Sequence, residues 1–178
     1  MARSLIVAGV LANVAVTAIA ERGVPPFIPG TSFRFSLNTD PRTDEDRSFV
    51  ATMTGELPVQ SLAFKCLSDG LNVLYSFDKY FAGTDGAVRI RLRFPGQPAT
   101  PWEDWGLMAG GRQSIAYMPE ESVMAFIEEA SSHSSITMQA MDPRDGETVT
   151  AEFSIVGVRK AVQRLACYQN MPVSERGQ

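Results

Sequence analysis

The residues of this sequence that could carry out catalysis are few and scattered. His133 is the only histidine in the chain, and it stands among serines in the segment 131–135. A serine hydrolase needs a base beside its nucleophile and a carboxylate that orients this base, and the Gly-x-Ser-x-Gly turn of many hydrolases is absent. Adjacent acids such as Glu128 and Glu129 point apart on regular structure, whereas the two carboxylates of a glycosidase must converge. We expect no enzymatic activity, and a hydrolase acting through His133 is the least favoured alternative.

The sequence also lacks the residue patterns of metal-binding and phosphate-binding sites. Two distant cysteines and one histidine do not supply the usual ligand set of a zinc site. The acidic stretch 40–46 lacks the spaced ligands and the glycine of a calcium loop, and it is interpreted as a solvated loop. Gly110 and Gly111 lack the lysine of a phosphate-binding loop. We therefore expect neither a metal nor a cofactor.

Arginine and tryptophan side chains offer a binding surface instead. Arg89, Arg91 and Arg93 alternate with apolar residues and so share one face of a predicted strand. Three guanidinium groups on one face repel each other unless neighbouring acids or an anionic partner balance them. Ion pairs with acids of the same sheet are the ordinary explanation, and a docking surface for a protein or a cell-wall carboxylate is the functional one. Trp102 and Trp105 form a second candidate surface for sugar stacking or protein docking, although we expect at least one of them in the core.

The first twenty residues predict the compartment. Arg3 is followed by an uncharged run from Leu5 to Ala20, which ends in the small-x-small pattern of a signal peptidase site. This run is shorter than the roughly 20 apolar residues that span a bilayer. Cleavage after Ala20 is therefore favoured over a retained anchor or a buried core helix. We predict a cleavable signal peptide at 1–20, a periplasmic or secreted protein, and no stable membrane span after processing.

Export decides how the charges and the cysteines are interpreted. The chain has 16 basic and 20 acidic residues, and removing the predicted signal takes away only Arg3, which leaves a net charge of −5. This acidic balance predicts no affinity for nucleic acid. In an oxidising compartment the two cysteines of one small domain usually pair. We predict a Cys66–Cys167 disulfide, with two separate buried thiols as the alternative.

Apolar residues that recur with a period of two predict that strands dominate the chain. The predicted strands are 33–37, 49–54, 61–67, 71–77, 88–94, 136–141 and 149–155, with tight turns at 68–70 and 142–147. Helical spacing predicts two helices, from Pro119 to about Ser131 and from Gly157 to Cys167. Because the connections are too short for parallel crossovers, the expected fold class is α+β: an antiparallel sheet with two helices packed on one face and one intramolecular disulfide.

The expected organisation of the chain follows from its size and composition. Three prolines favour an extended arm at 21–30, where they fix φ and withhold backbone donors. The segment 31–170 has the length of a single α+β domain. The polar segment 171–178 is interpreted as a flexible tail.

Four features follow one another in a recognisable order along roughly the last two thirds of the predicted domain. They are FKC at 64–66 before VLYSF at 73–77, VRIRLR at 88–93, Trp102, and AEFSIVG at 151–157 leading into the helix to Cys167. In this order the chain resembles the VasI/TagO-like periplasmic accessory proteins associated with type VI secretion. The N-terminal part differs, because Pro-rich and acidic segments stand where that family usually has a further cysteine pair. The resemblance implies a disulfide-stapled, non-enzymatic envelope protein without catalytic residues.

The function expected from these observations is that of an exported envelope protein. It is an accessory or binding protein that acts on an envelope protein partner through a docking surface, and the resemblance implies a link to secretion. A peptidoglycan- or glycan-binding module that uses Trp102 and Trp105 is the alternative from a different class.

Overall fold

The computed structural model describes residues 25–55, 59–81, 86–110 and 113–172. The predicted signal peptide at 1–20 and the residues 173–178 of the predicted tail lie outside the described residues. Within the described residues there are nine strands: β1 Arg34–Ser36, β2 Phe49–Met53, β3 Ser61–Leu67, β4 Gly70–Phe77, β5 Ala87–Arg93, β6 Glu103–Gly110, β7 Gln113–Tyr117, β8 Ser135–Met141 and β9 Thr148–Ser154. The helices of the same residues are α1 Glu120–Ala130, α2 Val158–Val162 and α3 Ala166–Gln169.

All nine strands belong to one antiparallel sheet. Their order across the sheet is β1-β2-β3-β4-β7-β6-β5-β8-β9. The hairpins predicted at 68–70 and 142–147 are present, because β3 pairs with β4 and β8 pairs with β9 in antiparallel register. The predicted α+β class with an antiparallel sheet is confirmed.

The two ends of the sheet approach each other, so the sheet is strongly curved. Strand β2 lies against β9, and Gln60 Nε2 donates a hydrogen bond to the carbonyl oxygen of Thr150 at 3.2 Å. The backbone N–H of Ser32 donates to the carbonyl oxygen of Val156 at 3.0 Å. The sheet therefore has a concave inner face and a convex outer face.

Every second residue of the strands points to the inner face and is buried there. Strands β3, β5 and β8 show a clean alternation, with Leu62, Phe64, Cys66, Val88, Ile90, Leu92, Ile136, Met138 and Ala140 all buried. Tyr75 is fully buried among them and donates its hydroxyl hydrogen to Gln60 Oε1 at 2.7 Å. Burial raises the pKa of this phenol, so Tyr75 stays protonated and acts as a hydrogen-bond donor.

Helix α1 closes one side of the inner core. Its buried residues are Val123, Phe126, Ile127 and Ala130, which is the face that the sequence spacing predicts. The ring of Phe126 stacks on Phe64 of β3 with 6.1 Å between the centroids. Pro119 precedes the helix, and Glu120 and Glu121 occupy its first turn, where acidic side chains favour the positive end of the helix dipole.

The second predicted helix is interrupted, and the prediction of a continuous helix from Gly157 to Cys167 is wrong. Helix α2 ends at Val162, and Leu165 has an extended backbone with φ −89° and ψ 130° before α3 begins. The chain turns here because Leu165 N–H donates to the carbonyl oxygen of Val162 in a tight final turn, and the Leu165 side chain enters the core. Ala166 is only half-buried and starts the new helix.

A disulfide ties α3 to the sheet. Cys66 of β3 and Cys167 of α3 are bonded, with 5.6 Å between their Cα atoms and a sequence separation of 101. The backbone N–H of Cys167 also donates to Cys66 Sγ at 3.3 Å. The predicted pairing is confirmed.

The N-terminal segment of the described chain folds back along β1. Ile28 N–H donates to the carbonyl oxygen of Phe33, and Phe35 N–H donates to that of Pro26. Ile28 is buried, so this segment contributes one side chain to the core. None of the helices among the described residues is both long enough and apolar enough to cross a membrane.

Candidate functional site

Strand β5 carries the three arginines on the outer face of the sheet, as the alternation predicts. Arg89 and Arg93 are exposed, and Arg91 is half-buried. The neighbouring strands are β6 on one side and β8 on the other. The three guanidinium groups therefore lie in the interior of the sheet's outer face and not on an edge strand. These three residues are called the arginine face below.

The arginine face has no acidic partner within the described part of the chain. No carboxylate of those residues lies within 4.0 Å of Arg89, Arg91 or Arg93, although Arg89 is directly opposite Asp104 in the β5–β6 register. Other arginines of the same residues do pair; Arg144, for example, contacts Asp142 at 2.7 Å. The expectation that ordinary ion pairs on the sheet neutralise the three cations is therefore wrong for the described residues.

Arg91 is held in place by Trp102, which precedes β6, and by Gln139 of β8. Its guanidinium carbon lies 4.5 Å from the ring centroid of Trp102, within the range of a cation–π contact. Its Nε donates to Gln139 Oε1 on β8 at 2.5 Å. Gln139 Nε2 in turn donates to Thr150 Oγ1 on β9 at 2.9 Å. The Nη groups of Arg91 have no hydrogen-bond acceptor among the described residues, so they remain available to a ligand.

A small cavity opens between β5 and β8 at this point. Its volume is about 230 Å³, and its lining includes Arg91, Arg93, Thr137, Gln139 and Thr150. Pockets that enclose a drug-sized ligand usually measure roughly 300–1,000 Å³. The cavity is therefore suited to one carboxylate or one side chain of a larger partner.

The two tryptophans have different environments. Trp105 lies in β6 and is 1% exposed, so it is a core residue and cannot stack on a sugar; its assignment as a binding residue is wrong. The expectation that at least one tryptophan is in the core is confirmed. Trp102 precedes β6 and is half-buried, with Arg91 over its ring. Only Trp102 contributes to the arginine face.

His133 is half-buried beside α1, where its ring contacts an acid, an amide and an aromatic ring. Its Nε2 contacts Glu129 Oε1 at 3.1 Å and Gln97 Nε2 at 3.3 Å, and its ring stacks on Phe94. Two hydrogen bonds lower the pKa of the Glu129 carboxyl. The one from Gln97 has the larger effect and the one from His133 the next largest. An acid is thus within reach, but no serine hydroxyl of the described residues bonds to the ring.

The described residues also lack a cluster of potential metal ligands. Across 25–55, 59–81, 86–110 and 113–172, no group of three or more potential ligand side chains converges on one point. In the acidic stretch 40–46, Asp40 instead forms an ion pair with Arg47 at 2.7 Å. Asp44 adopts a positive φ of 56° in this loop, a conformation that Asp tolerates better than most residues.

Sequence reasoning missed Gln139 and Thr150 as parts of the site. Both are uncharged polar residues on predicted strands, and neither belongs to a motif. Their role depends on the register that places Gln139 opposite Arg91 and Thr150 opposite Gln139. Once a register is known, a polar row that runs across three strands is the signal that reveals them.

No model of a protein family matches this chain, and no curated protein matches it by sequence. Function is therefore inferred from the chemistry of the arginine face and from the pattern of the sequence.

Proposed function

We propose that this protein is an exported, non-enzymatic accessory protein of the cell envelope, which binds a partner protein through the arginine face. One observation carries the proposal: three guanidinium groups stand side by side on the outer face of β5 without a carboxylate partner among the described residues. A surface of this kind is unfavourable for the free chain, because like charges repel across short distances. Carboxylates of a partner would remove the repulsion.

The chemistry of arginine favours a carboxylate-bearing protein as the partner. A guanidinium group presents a planar fork of donors that matches a carboxylate with two parallel hydrogen bonds. Charge complementarity of this kind accelerates association and fixes the orientation of the partner. The cavity between Arg91 and Arg93 has room for one such carboxylate.

The fixed position of Arg91 supports a binding role further. Trp102 and Gln139 hold its side chain before any partner arrives. A long side chain that is already ordered loses less conformational entropy on binding, and preorganisation of this kind increases affinity. Arg91 is therefore the residue on which we expect binding to depend most strongly.

Export is supported by the leader pattern and the disulfide together. The run from Leu5 to Ala20 has the features of a cleavable signal. The Cys66–Cys167 bond is of the kind that persists in oxidising compartments such as the periplasm. The order of features that resembles the VasI/TagO-like proteins supports a secretion-associated role for the binding. A glycan-binding module is less well supported, because buried Trp105 leaves Trp102 as the only tryptophan of such a platform.

The proposal is tested by affinity capture with a matched charge reversal. The disulfide-bonded full chain, its Arg91→Glu variant and its Arg42→Glu variant are used as bait in envelope extracts, and captured proteins are quantified by mass spectrometry. Arg42 is exposed and lies in the acidic loop, far along the chain from β5, so it controls for net charge. We expect one or more proteins that the wild type and Arg42→Glu retain equally and that Arg91→Glu loses at least tenfold, with retention that falls as salt is raised. Equal capture by all three baits would refute the proposal.

A further inference from the structure

An exposed apolar area lies beside the arginine face on the outer face of the sheet. Tyr117 of β7 is opposite Leu74 of β4, and Ile115 of β7 is opposite Met108 of β6. These side chains share the outer face of three neighbouring strands, because residues opposite each other in register point the same way. Leu74, Met108, Ile115 and Tyr117 are called the apolar patch below.

No described part of the chain covers the apolar patch. Met108 is 47% exposed and Tyr117 is 38% exposed, and Leu74 and Ile115 are partly exposed. The buried side chains of α1 belong to the core behind the sheet and not to this face. Apolar residues that are exposed one at a time need no explanation, but a contiguous group on one face marks an interaction site.

The apolar patch and the arginine face are continuous. Gly106 of β6 is opposite both Tyr117 and Ala87. Ala87 begins β5 and lies two residues before Arg89, on the same face. Strand β7 is two strands from β5, and neighbouring strands are roughly 4.8 Å apart with about 3.3 Å per residue along each strand, so the backbone of Arg89 lies about 12 Å from that of Tyr117, within reach of two long side chains.

We propose that the apolar patch and the arginine face are one docking surface, and that a segment of the partner protein with apolar side chains flanked by carboxylates occupies it. This inference rests on the proposed function and adds the chemistry of the partner. A segment that is acidic throughout would leave Tyr117 and Met108 in water, and a basic one would be repelled by the arginines. Tyrosine, methionine, tryptophan and arginine are also the residue types that interfaces favour.

Three synthetic peptides of equal length test this inference. One carries a run of leucines beside a run of glutamates, one has serines in place of the leucines, and one has lysines in place of the glutamates. Their binding to the disulfide-bonded full chain is measured by fluorescence anisotropy at fixed salt. We expect the Leu/Glu peptide to bind at least tenfold more tightly than either of the others, since it alone satisfies both halves of the surface.

Two methionines provide a matched pair of variants. Met108→Ser is expected to weaken binding of the Leu/Glu peptide roughly five- to tenfold. Met53→Ser is the control, because Met53 is 46% exposed on the outer face of β2, outside the patch; we expect it to bind like the wild type. Tyr117→Ser is a second test of the patch. Circular dichroism melting shows whether each variant is folded.

The outcomes separate this inference from the proposed function. If Arg91→Glu abolishes binding of both glutamate peptides but Met108→Ser and Tyr117→Ser change nothing, the apolar patch has no role and only the inference is overturned. If Arg91→Glu leaves binding of the Leu/Glu peptide intact, the arginine face is not a binding surface. The proposed function and the inference that rests on it are then both overturned. If sedimentation shows a dimer of the wild type that Met108→Ser dissociates, a second copy occupies the patch and the inference is also overturned.

Discussion

The ring of Tyr117 lies directly over the backbone of Gly106 on the neighbouring strand. A Cβ atom at Gly106 would stand only 1.8 Å from Cζ of Tyr117. The ring can occupy this position only because glycine has no side chain, which is a recurrent reason for glycine inside a strand. Gly106 therefore provides the space in which the aromatic residue of the apolar patch is held.

A double-mutant cycle measures this dependence. We expect Gly106→Ala alone to displace the ring and lower the free energy of unfolding by about 1 kcal/mol. In a Tyr117→Ala background the same change should cost nothing or stabilise slightly, because the space is then free and alanine suits a strand better than glycine. Urea denaturation of the four proteins gives the coupling energy, which we expect to be about 1 kcal/mol. Additive effects of the two changes would show that the ring does not depend on this glycine.

The disulfide is expected to contribute a large part of the stability. It closes a loop of 101 residues, and a loop of about 100 residues corresponds to roughly 4.7 kcal/mol of lost unfolded-state entropy in the chain-entropy model. We expect the Cys66→Ser/Cys167→Ser variant to lose about 3–5 kcal/mol in urea denaturation. Reduced wild type serves as the control and should unfold at nearly the same urea concentration. A loss below about 1 kcal/mol would mean that packing alone holds α3 on the sheet.

Two glycines with nearly the same positive φ allow the effect of backbone strain to be separated from that of a steric clash. Gly157 has φ 74° and Gly146 has φ 76°. A Cβ atom at Gly157 would meet Thr31 Cγ2 at 2.8 Å and the Gly30 carbonyl oxygen at 3.0 Å, whereas at Gly146 nothing lies within 4 Å.

Alanine substitutions at these two glycines should therefore differ in cost. We expect Gly146→Ala to lower stability by about 1 kcal/mol, the cost of a left-handed backbone for an L-residue. Gly157→Ala should cost at least about 1 kcal/mol more, because the segment 30–31 must also move. The two variants are compared by thermal and urea denaturation. Equal losses of stability in the two variants would show that the segment 30–31 moves away from residue 157 without an energetic cost.

The features that the sequence predicts well are those that depend on local pattern. The alternation in 88–93 places the arginines on one face, and the helical spacing in 119–131 identifies the buried side of α1. The disulfide is predictable because the leader pattern predicts export to an oxidising compartment and two cysteines allow only one pairing. In each case neighbours in sequence, or the number of candidates, determine the answer.

The features that it misses depend on contacts between distant segments. Strands β6 and β7 were not predicted, because Gly106 looks like a loop residue until the ring of Tyr117 is known to cover it. The interruption at Leu165 follows from how the chain must turn to bring Cys167 to β3. The contact of Arg91 with Gln139 depends on the pairing of β5 with β8, which no local pattern specifies.

The turn between β8 and β9 gives the protein an acid-sensitive element. Asp142 is buried and accepts hydrogen bonds from Arg144, at 3.1 Å from Nε, 2.7 Å from Nη2 and 2.9 Å from the backbone N–H. The side-chain hydrogen bonds from Arg144 are the main cause that lowers the pKa of the Asp142 carboxyl. An aspartate in an unfolded chain titrates near pKa ~3.9. The stabilisation from this lowered pKa is therefore fully present above that pH and is lost as the pH falls through the folded-state pKa.

Asp142→Asn should reveal this contribution as a pH-dependent difference in melting temperature. Asparagine keeps an acceptor oxygen but not the charge, so at pH 7 we expect the variant to melt about 3–6 °C below the wild type. The difference should begin to shrink below about pH 4, where the carboxyl of the unfolded chain takes up a proton, and it should disappear only as the pH falls through the lower folded-state pKa. Asp104→Asn removes an exposed carboxylate that forms no ion pair with the described residues, and it should melt close to the wild type throughout. A deficit of Asp142→Asn that stays constant from pH 7 to pH 3 would mean that shape and not charge makes Asp142 important.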